Sequence, residues 1–253
     1  MKGIMMDKKY WEELDNKLVM TIKNDVGAVA LKFCRTKEEL EQISDIVYWP
    51  KTASVCKLIG LAAYWKRTVC LTADKLNYHC GGNCGTCERG ELWQRGQYLA
   101  EVRKWFTPEA SQAHTNAQKA DVPSSDHIAI VASPMRSGNI PDPDVIVLST
   151  EPAAAFYIFS GLIQRDFHEI DFTFRGESSC VETFCRTYVT GKPGLSLGCR
   201  GEGGSGGLRT THVRYSITVK DLEKALEGCR EMVDRDELLF PCYPGDMIEW
   251  DKI

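Results

Sequence analysis

Apolar residues recur along the chain in two patterns, one typical of helices and one typical of strands. Residues 8–24 carry apolar side chains at helical spacing. VGAVALKFC, at residues 26–34, is an apolar run that predicts a buried strand, and residues 36–47 predict a second helix. Residues 54–65 are apolar on most sides and predict a core helix, and residues 68–73 predict a short strand.

The middle of the chain continues this alternation after a cysteine-rich loop. Residues 91–106 return to a helical period and predict one helix, whereas residues 111–126 have little apolar content and predict an exposed loop or a short surface helix. HIAIVASP (127–134) and PDPDVIVLST (141–150) predict two buried strands. The second strand leads into a helix with a proline in its first turn, Pro152.

The last third predicts three further strands and two helices. The strands are at residues 170–174, 195–199 and 213–219, and the helices are at residues 178–190 and 221–233. No repeat and no clear linker divides these elements. We therefore expect one α/β domain over residues 1–253, with a mixed sheet flanked by helices and cysteine-bearing loops; a mixed α+β arrangement fits the same elements.

Composition narrows the class of protein. The chain has 253 residues, 43% of them hydrophobic, which is enough to bury a core without cross-links. The net charge is −4 and no long run of either sign occurs, so neither a nucleic-acid surface nor an anionic-membrane surface is predicted. The first residues lack an export signal and no apolar stretch approaches a membrane span, so we expect a cytoplasmic protein without membrane partners.

Cysteine is the residue type that indicates chemistry. Eleven cysteines in a chain without an export signal are more naturally thiols and ligands than disulfides. Cys80, Cys84 and Cys87 form a C-x3-C-x2-C loop with glycines between them, and glycine allows the backbone to wrap around a ligand. Thiolates select zinc, copper(I) or iron–sulfur clusters. The loop therefore predicts a metal or cluster site.

The local spacing leaves alternatives open. A zinc site usually takes a fourth ligand from a second knuckle, and His79 is too close to Cys80 in sequence to supply it easily. The triplet also resembles the cluster-binding loop of radical S-adenosylmethionine enzymes, but Thr86 stands where those enzymes usually carry an aromatic residue. Zinc and radical chemistry therefore stay as alternatives to an ordinary iron–sulfur cluster.

A broader resemblance covers most of the chain. From about residue 10 to about residue 235, the order of motifs resembles the cysteine-rich ArCR-type family, domain of unknown function 169, which is common in anaerobic bacteria and archaea. The matching stretches are VGAVALKF, SVCKLIGLA (54–62), VCLTADKLNYHCGG (69–82), DVIVLSTEPAAA (144–155), ESSCVETFCRTYVTGKPGLSLGCRG (177–201) and the closing helix. Residues 8–235 are thus the family-like core, and residues 236–253 are a C-terminal tail.

The resemblance implies a metal or iron–sulfur site built from cysteines that are far apart in sequence. The cysteines that match the family pattern are Cys56, Cys80, Cys180 and Cys199. Cys84 and Cys87 fall outside the matching part. A distributed ligand set therefore competes with the local triplet, and Cys80 belongs to both.

The remaining cysteines have simpler interpretations. A free cysteine is among the most buried residue types, so core packing is expected for Cys185 and Cys229 and is as good an interpretation of Cys56 as ligation. Cys34 and Cys70 lie at strand ends, and Cys242 lies in the tail without an evident partner.

RGEGGSGGLR, at residues 200–209, follows Cys199 and is either a mobile loop or a cradle for an anion. Arg200 and Arg209 are the candidate anchors for a substrate carboxylate.

Together these features predict a [4Fe-4S] protein of anaerobic metabolism, an oxygen-sensitive enzyme that passes electrons to a redox partner protein or offers an open iron to a small substrate. The alternatives are a non-catalytic zinc module and a radical enzyme.

Overall fold

Seven strands form one mixed sheet in the described part of the chain. The computed structural model describes residues 7–104, 106–166 and 169–235. The strands are β1 (Val29–Cys34), β2 (Val47–Tyr48), β3 (Val69–Thr72), β4 (Ala129–Pro134), β5 (Val145–Thr150), β6 (Gly194–Ser196) and β7 (Val213–Ile217). Their order across the sheet is β2-β3-β4-β1-β5-β7-β6. β2 and β3 are parallel, and the other neighbouring pairs are antiparallel.

Helices connect these strands and cover the sheet. The α-helices are α1 (Lys8–Ile22), α2 (Lys37–Glu41), α3 (Val55–Trp65), α4 (Tyr78–Asn83), α5 (Glu91–Gln94), α6 (Tyr98–Glu101), α7 (Pro108–Gln118), α8 (Pro152–Asp166), α9 (Arg186–Thr190) and α10 (Val219–Arg235). Two π-helical turns, Val181–Cys185 and Glu202–Gly206, lie between α8 and β7. Within the described ranges, none of the helices has the length and apolar character needed to cross a bilayer.

β1 lies at the centre of the sheet and is buried on both faces. It pairs with β4 along its whole length and with β5 over its first three residues. Val29, Leu31 and Phe33 belong to the core on one face, and Ala30 and Cys34 belong to the core on the other. A strand buried on both faces is apolar at nearly every position. This burial explains why the run at residues 26–34 predicts the strand.

Different elements cover the two faces of the sheet. α1, α8 and α10 pack on one face, with Trp11, Tyr157 and Leu222 in the core there. α3 and the Val181–Cys185 turn pack on the other face, where Phe184 is buried. The described residues therefore form one α/β domain with a mixed sheet flanked by helices, as the sequence predicts.

α8 and α10 approach closely because each has a glycine where they cross. A Cβ added to Gly161 would lie 2.6 Å from the Cys229 Sγ, and one added to Gly228 would meet the Gly161 carbonyl. The Cys229 thiol donates a hydrogen bond to the Tyr157 carbonyl oxygen at 3.3 Å. Cys229 therefore occupies a packed helix interface, in agreement with its interpretation as a core residue.

The prediction of a single helix over residues 91–106 is wrong. The segment contains two short helices, α5 and α6, separated by Gly96 at φ +71°. The left-handed conformation of Gly96 ends the first helix. Gly96 also faces Gln112 of α7, whose Cα would lie 2.6 Å from an added Cβ. The turn is therefore set by packing against α7, which helical periodicity does not reveal.

Of the exposed loop or short surface helix predicted at residues 111–126, the first part is helix α7, which has an exposed side but also a buried polar face that the sequence did not predict. Ser111, His114, Thr115 and Gln118 are all buried. The His114 Nδ1 donates to the Arg175 carbonyl oxygen at 3.0 Å, and its Nε2 contacts the Gln118 Nε2 at 2.8 Å. A polar face satisfied by such hydrogen bonds can be buried without apolar side chains.

Two other predicted elements differ from the structure. The helix predicted over residues 36–47 is limited to α2, which starts at a capping box formed by Thr36 and Glu39. No strand forms at residues 170–174, which are described in full; instead Phe172 packs against Phe159 with ring centroids 4.7 Å apart. The tail at residues 236–253, including Cys242, lies outside the described residues.

Gly161→Ala should destabilise the protein by about 2 kcal/mol, since the added methyl group forces α8 away from α10. Urea unfolding measures this loss. Gly204→Ala is the matched control, because nothing lies within 4 Å of the position of its added Cβ. Equal effects of the two substitutions would contradict the close helix crossing.

His114 should make folding sensitive to acid. Burial lowers the pKa of His114 to about 4 from 6.5, so the unfolded chain takes up a proton at a pH where the folded chain does not. Stability should therefore fall as the pH drops from 6.5 towards 4, by about 2 kcal/mol in total. Urea unfolding at several pH values should show a smaller loss in His114→Gln. An identical pH profile in the variant would contradict a neutral, buried His114.

Candidate functional site

Cys56 lies in the first turn of α3, where the helix meets the glycine-rich segment. The Ser54 Oγ accepts a hydrogen bond from the Lys57 N–H at 3.2 Å and caps the helix. A Cβ added to Gly206 would lie 3.0 Å from the Cys56 Cβ, and one added to Gly60 would lie 2.8 Å from the Gly206 carbonyl oxygen. Glycine at these positions therefore lets the Glu202–Gly206 turn pack directly on α3, so this part of RGEGGSGGLR is a packed turn.

Cys80 and Cys84 lie at the two ends of α4. The Asn77 Oδ1 accepts from the Cys80 N–H at 2.9 Å and caps the helix, while the Cys84 N–H donates to the Cys80 carbonyl oxygen at 2.8 Å. Gly85 follows at φ +73°, and a Cβ there would lie 2.8 Å from the His127 Nδ1. The positive φ of Gly85 ends α4, and the Thr86 N–H then donates to the Gly81 carbonyl oxygen at 3.0 Å, so the chain folds back on the helix.

Cys87 folds back against α4 after the Gly85 turn. Its thiol is partly exposed and contacts the Tyr78 carbonyl oxygen at 3.9 Å, and a Cβ added to Gly81 would lie 2.8 Å from the Cys87 Sγ. Burial and then the Glu88 carboxylate raise the pKa of the Cys87 thiol. Cys87 therefore lies beside the helix that carries Cys80, and the local triplet stays a prediction.

Cys180 and Cys185 are both turned into the protein by the π-helical turn Val181–Cys185. Thr183 inside this turn has a non-helical backbone, with φ −108° and ψ −108°, and its Oγ1 donates to the Ser179 carbonyl oxygen at 2.7 Å. Both cysteines are buried. π-Helical turns are frequent at functional sites, where they redirect side chains.

Asn83 joins this turn to the segment that carries Cys84. The Cys185 thiol contacts the Asn83 carbonyl oxygen at 3.4 Å and the Cys84 Sγ at 3.7 Å. The Asn83 Nδ2 donates to the Cys180 Sγ at 3.8 Å. Cysteines separated by about a hundred residues of chain therefore meet in one buried cluster.

The distributed cysteines face the same interior space. Burial raises the pKa of the Cys56 thiol well above its ordinary value, and Glu202, Cys80, Cys180 and Cys199 raise it further. The Glu202–Gly206 turn, which follows Cys199, also packs directly on Cys56. The elements that carry the four cysteines implied by the family resemblance therefore adjoin one another, and their role as one ligand set stays a prediction.

The other thiols in this space influence one another in the same way. Burial, and to a smaller extent Cys199, raises the pKa of the Cys80 thiol. The hydrogen bond with Cys84 and burial raise the pKa of Cys180, and Cys80 and Cys199 add to that rise. We call the group of Cys56, Cys80, Cys84, Cys180, Cys185 and Cys199 the thiol cluster.

A buried ion pair lies beside the thiol cluster. Glu202 is 0% exposed and Arg214 is 1% exposed, and the Arg214 Nη1 lies 3.3 Å from the Glu202 Oε1. Neither Glu202 oxygen has a hydrogen-bond partner among the described residues. A buried pair of this kind contributes little net stability compared with apolar side chains of similar volume, whereas removal of one partner leaves an uncompensated buried charge.

A second cation, Arg89, lies on the other side of the thiol cluster. Its Nη2 donates to the Asn83 Oδ1 at 2.9 Å and to the Gln118 Oε1 at 3.1 Å. Burial lowers the pKa of Arg89, and Cys180, Cys185 and Cys84 act in the opposite direction. Arg89 can therefore stabilise thiolates at these positions.

Sequence reasoning missed Glu202, Arg89 and Asn83, and it treated Cys185 as a packing residue. The available signal was weak: Glu202 is the acidic residue within a glycine-rich stretch, and Arg89 closely follows the cysteine loop. Cys34, Cys70 and Cys229 instead belong to the core on the opposite face of the sheet. They are the packing cysteines of the fold.

The two arginines predicted to bind substrate have different surroundings. Arg200 is exposed next to Cys199. Arg209 is also exposed, and its Nη1 donates to the Asp25 Oδ2 at 2.7 Å, just after the end of α1. Arg209 therefore lies at a cleft beside α1.

The donor type of the thiol cluster limits which metal centres it can hold. Among the described side chains, no three of Cys, His, Asp or Glu are placed to hold a single metal ion. A zinc ion needs each sulfur about 2.3 Å away, so the thiols would have to move together to form such a site. An iron–sulfur cluster is larger and holds its ligand sulfurs further apart. The donor type, a group of cysteine thiols, is one that zinc and iron–sulfur clusters both accept.

Comparisons with known proteins place the chain in a family. A protein of Methanocaldococcus jannaschii, named only as uncharacterized, is 23% identical over 239 residues, which cover 90% of this chain and 98% of that protein. No solved structure matches the chain. The family described as DUF169, uncharacterised ArCR, matches residues 17–228. The resemblance found in the sequence is thus confirmed, and the chain belongs to the DUF169 family.

Proposed function

We propose that this protein binds a [4Fe-4S] cluster through the thiolates of Cys56, Cys80, Cys180 and Cys199. The observation that carries the proposal is that the elements bearing these cysteines adjoin one another. The Asn83 Nδ2 of α4 donates to the Cys180 Sγ at 3.8 Å, and the Glu202–Gly206 turn that follows Cys199 packs on Cys56. Four cysteine thiolates are the usual ligand set of such a cluster.

Core packing explains the thiol cluster less well than metal ligation does. Cys34, Cys70 and Cys229 lie among apolar side chains, and so do Cys84, Cys180 and Cys185. The thiol cluster differs in that it also adjoins two buried charged groups, Glu202 and Arg89. Charged groups are costly to bury beside thiols that only fill space.

Loading of the site with metal requires the thiols to lose their protons. Because burial raises the pKa of Cys56 and Cys80, both are thiols at neutral pH in the metal-free protein. Ligation requires thiolates, so it releases these protons. Arg89 then lies where it can offset the new negative charge, and the Asn83 Nδ2 donates a hydrogen bond to the Cys180 sulfur. Hydrogen bonds to ligand sulfurs tune the reduction potential of a cluster.

The ligand count distinguishes the two activities that the sequence leaves open. Four cysteines leave no iron available to substrate, so a four-cysteine site supports electron transfer. Cys56 and Cys180 are buried, whereas Cys80 and Cys199 are partly exposed. Electrons would therefore pass to a redox partner protein at the Cys80 and Cys199 edge. With Cys56 unligated, one iron would be open as a Lewis acid for a small substrate.

Protein purified without oxygen should be brown and contain about four irons and four sulfides per chain. The iron content and the sulfide content should each fall by at least half in Cys80→Ala, Cys180→Ala and Cys199→Ala, because each substitution removes a thiolate ligand. Iron, sulfide and zinc analysis and electron paramagnetic resonance of the reduced protein measure this. Cys70→Ala is the matched control, since Cys70 is a buried cysteine of the opposite face, and it should keep the full content.

The same measurement separates the alternatives. Cys56→Ala with full iron content and an altered resonance spectrum would indicate three ligands and an open iron. Loss of iron in Cys84→Ala and Cys87→Ala but not in Cys180→Ala would favour the local triplet. Zinc without sulfide, or iron that is retained in every variant, would contradict the proposed cluster.

A further inference from the structure

A polar cleft lies on the face of the sheet opposite the thiol cluster. It has a volume of about 250 Å³ and lies between the end of α1, the start of α8 and the segment that precedes β7. Its apolar lining, Ile22 and Ala154, belongs to the core beneath α1, α8 and α10, whereas Cys84 and Cys180 belong to the other core. The cleft is therefore a second place at which a ligand can bind, separate from the proposed cluster.

The floor of the cleft contains two buried polar side chains with unused hydrogen-bonding atoms. Asn24 is 8% exposed and His212 is 7% exposed. The Asn24 Oδ1 accepts from the Val26 N–H at 3.2 Å, which orients the amide. Neither the Asn24 Nδ2 nor the His212 Nδ1 has a hydrogen-bond partner among the described residues. Both atoms are shielded from solvent in this structure, so a ligand reaches them only when neighbouring side chains move. Leaving a buried donor unpaired costs about 1–3 kcal/mol, so such a movement is favoured by a ligand that supplies an acceptor to the Asn24 Nδ2.

The start of α8 adds to this donor character. The helix is 15 residues long and begins at Pro152, and Ala154 of its first turn lines the cleft. The first N–H groups of a helix lack partners within the helix, and the helix dipole makes this end positive. Together with the Asn24 Nδ2, this end favours a negatively charged oxygen ligand.

The rim of the cleft limits the charge that such a ligand can carry. Lys23 and Arg209 are basic, while Asp25 and Glu151 are acidic, so the charges at the rim balance. Burial and the Arg209 charge lower the pKa of His212, which keeps the imidazole neutral at neutral pH. Because the rim has no surplus of positive charge, each negative charge on a ligand is repelled by Asp25 and Glu151. A dianion such as phosphate is therefore less favourable here than a monoanion.

We propose that this cleft binds a small monocarboxylate, with its carboxylate at the Asn24 amide and the start of α8, and with Arg209 at the rim. The cleft is smaller than the roughly 300–1,000 Å³ of sites for drug-sized molecules, which fits a ligand of a few carbon atoms. The proposal is independent of the cluster, because the cleft contains none of the cluster's proposed ligands.

Titration with propionate and lactate, followed by nuclear magnetic resonance shifts of the intact protein, tests this proposal. At least one of these probes should bind saturably, in the micromolar to millimolar range expected of so small a ligand. Inorganic phosphate and propylamine should bind at least tenfold more weakly. Absence of saturable binding by both carboxylates, or equal binding of phosphate or propylamine, would overturn the proposal.

The Asn24→Asp variant tests whether the Asn24 amide is the group that binds the carboxylate. The substitution keeps an oxygen for the Val26 N–H but replaces the free amide donor with a carboxylate oxygen, so carboxylate binding should weaken at least tenfold. Asn116→Asp is the matched control, because it makes the same change at an exposed position of α7 and should leave binding unchanged. Equal affinities of the two variants would overturn the assignment, provided that thermal unfolding shows both to be folded. Cys80→Ala should bind as the wild type does, which separates this proposal from that of the cluster.

Discussion

The candidate site depends on the contact between the Val181–Cys185 turn and the segment at the end of α4. Asn83 makes this contact through both its carbonyl oxygen and its amide, and Cys84 and Cys185 meet across it. The non-helical backbone at Thr183 interrupts the helix between Cys180 and Cys185, and the positive φ of Gly85 ends α4 just after Cys84. Without this contact the cysteines would be distributed over separate elements. With it, they share one interior space with Glu202 and Arg89.

The fold could be predicted where burial is strong and simple. The central strand β1 is apolar on both faces, and α1 and α10 each have one apolar stripe, so their patterns follow directly from burial. The predictions that differ from the structure concern segments that are shaped by a glycine turn or by buried hydrogen bonds, and not by burial of apolar side chains. Gly96 divides a helical pattern because of its positive φ, and α7 is buried through hydrogen bonds of His114 and Gln118. Periodicity of apolar residues detects neither effect.

The candidate site could be predicted only in part, because sequence spacing reports local geometry. The C-x3-C-x2-C spacing draws attention to Cys87, whose thiol lies beside α4 at a partly exposed position. The family resemblance instead implies Cys56, Cys180 and Cys199, and these are the cysteines whose charges act on one another. Cys185 and Glu202 enter the site only through tertiary contacts. Neither lies in a local pattern that marks it as a ligand or as a charged neighbour of one.

The two faces of the sheet differ in the charge that they can accept. Beside the thiol cluster, the Glu202–Arg214 pair is neutral as a unit, and Arg89 adds a positive charge, so this interior can hold added negative charge on sulfur. In the cleft, the rim charges cancel and the unused groups on the floor are neutral. A soft, multiply charged centre therefore suits the first site, and a single carboxylate suits the second. Because the central strands lie between them, either site can be altered without removing the other's polar groups.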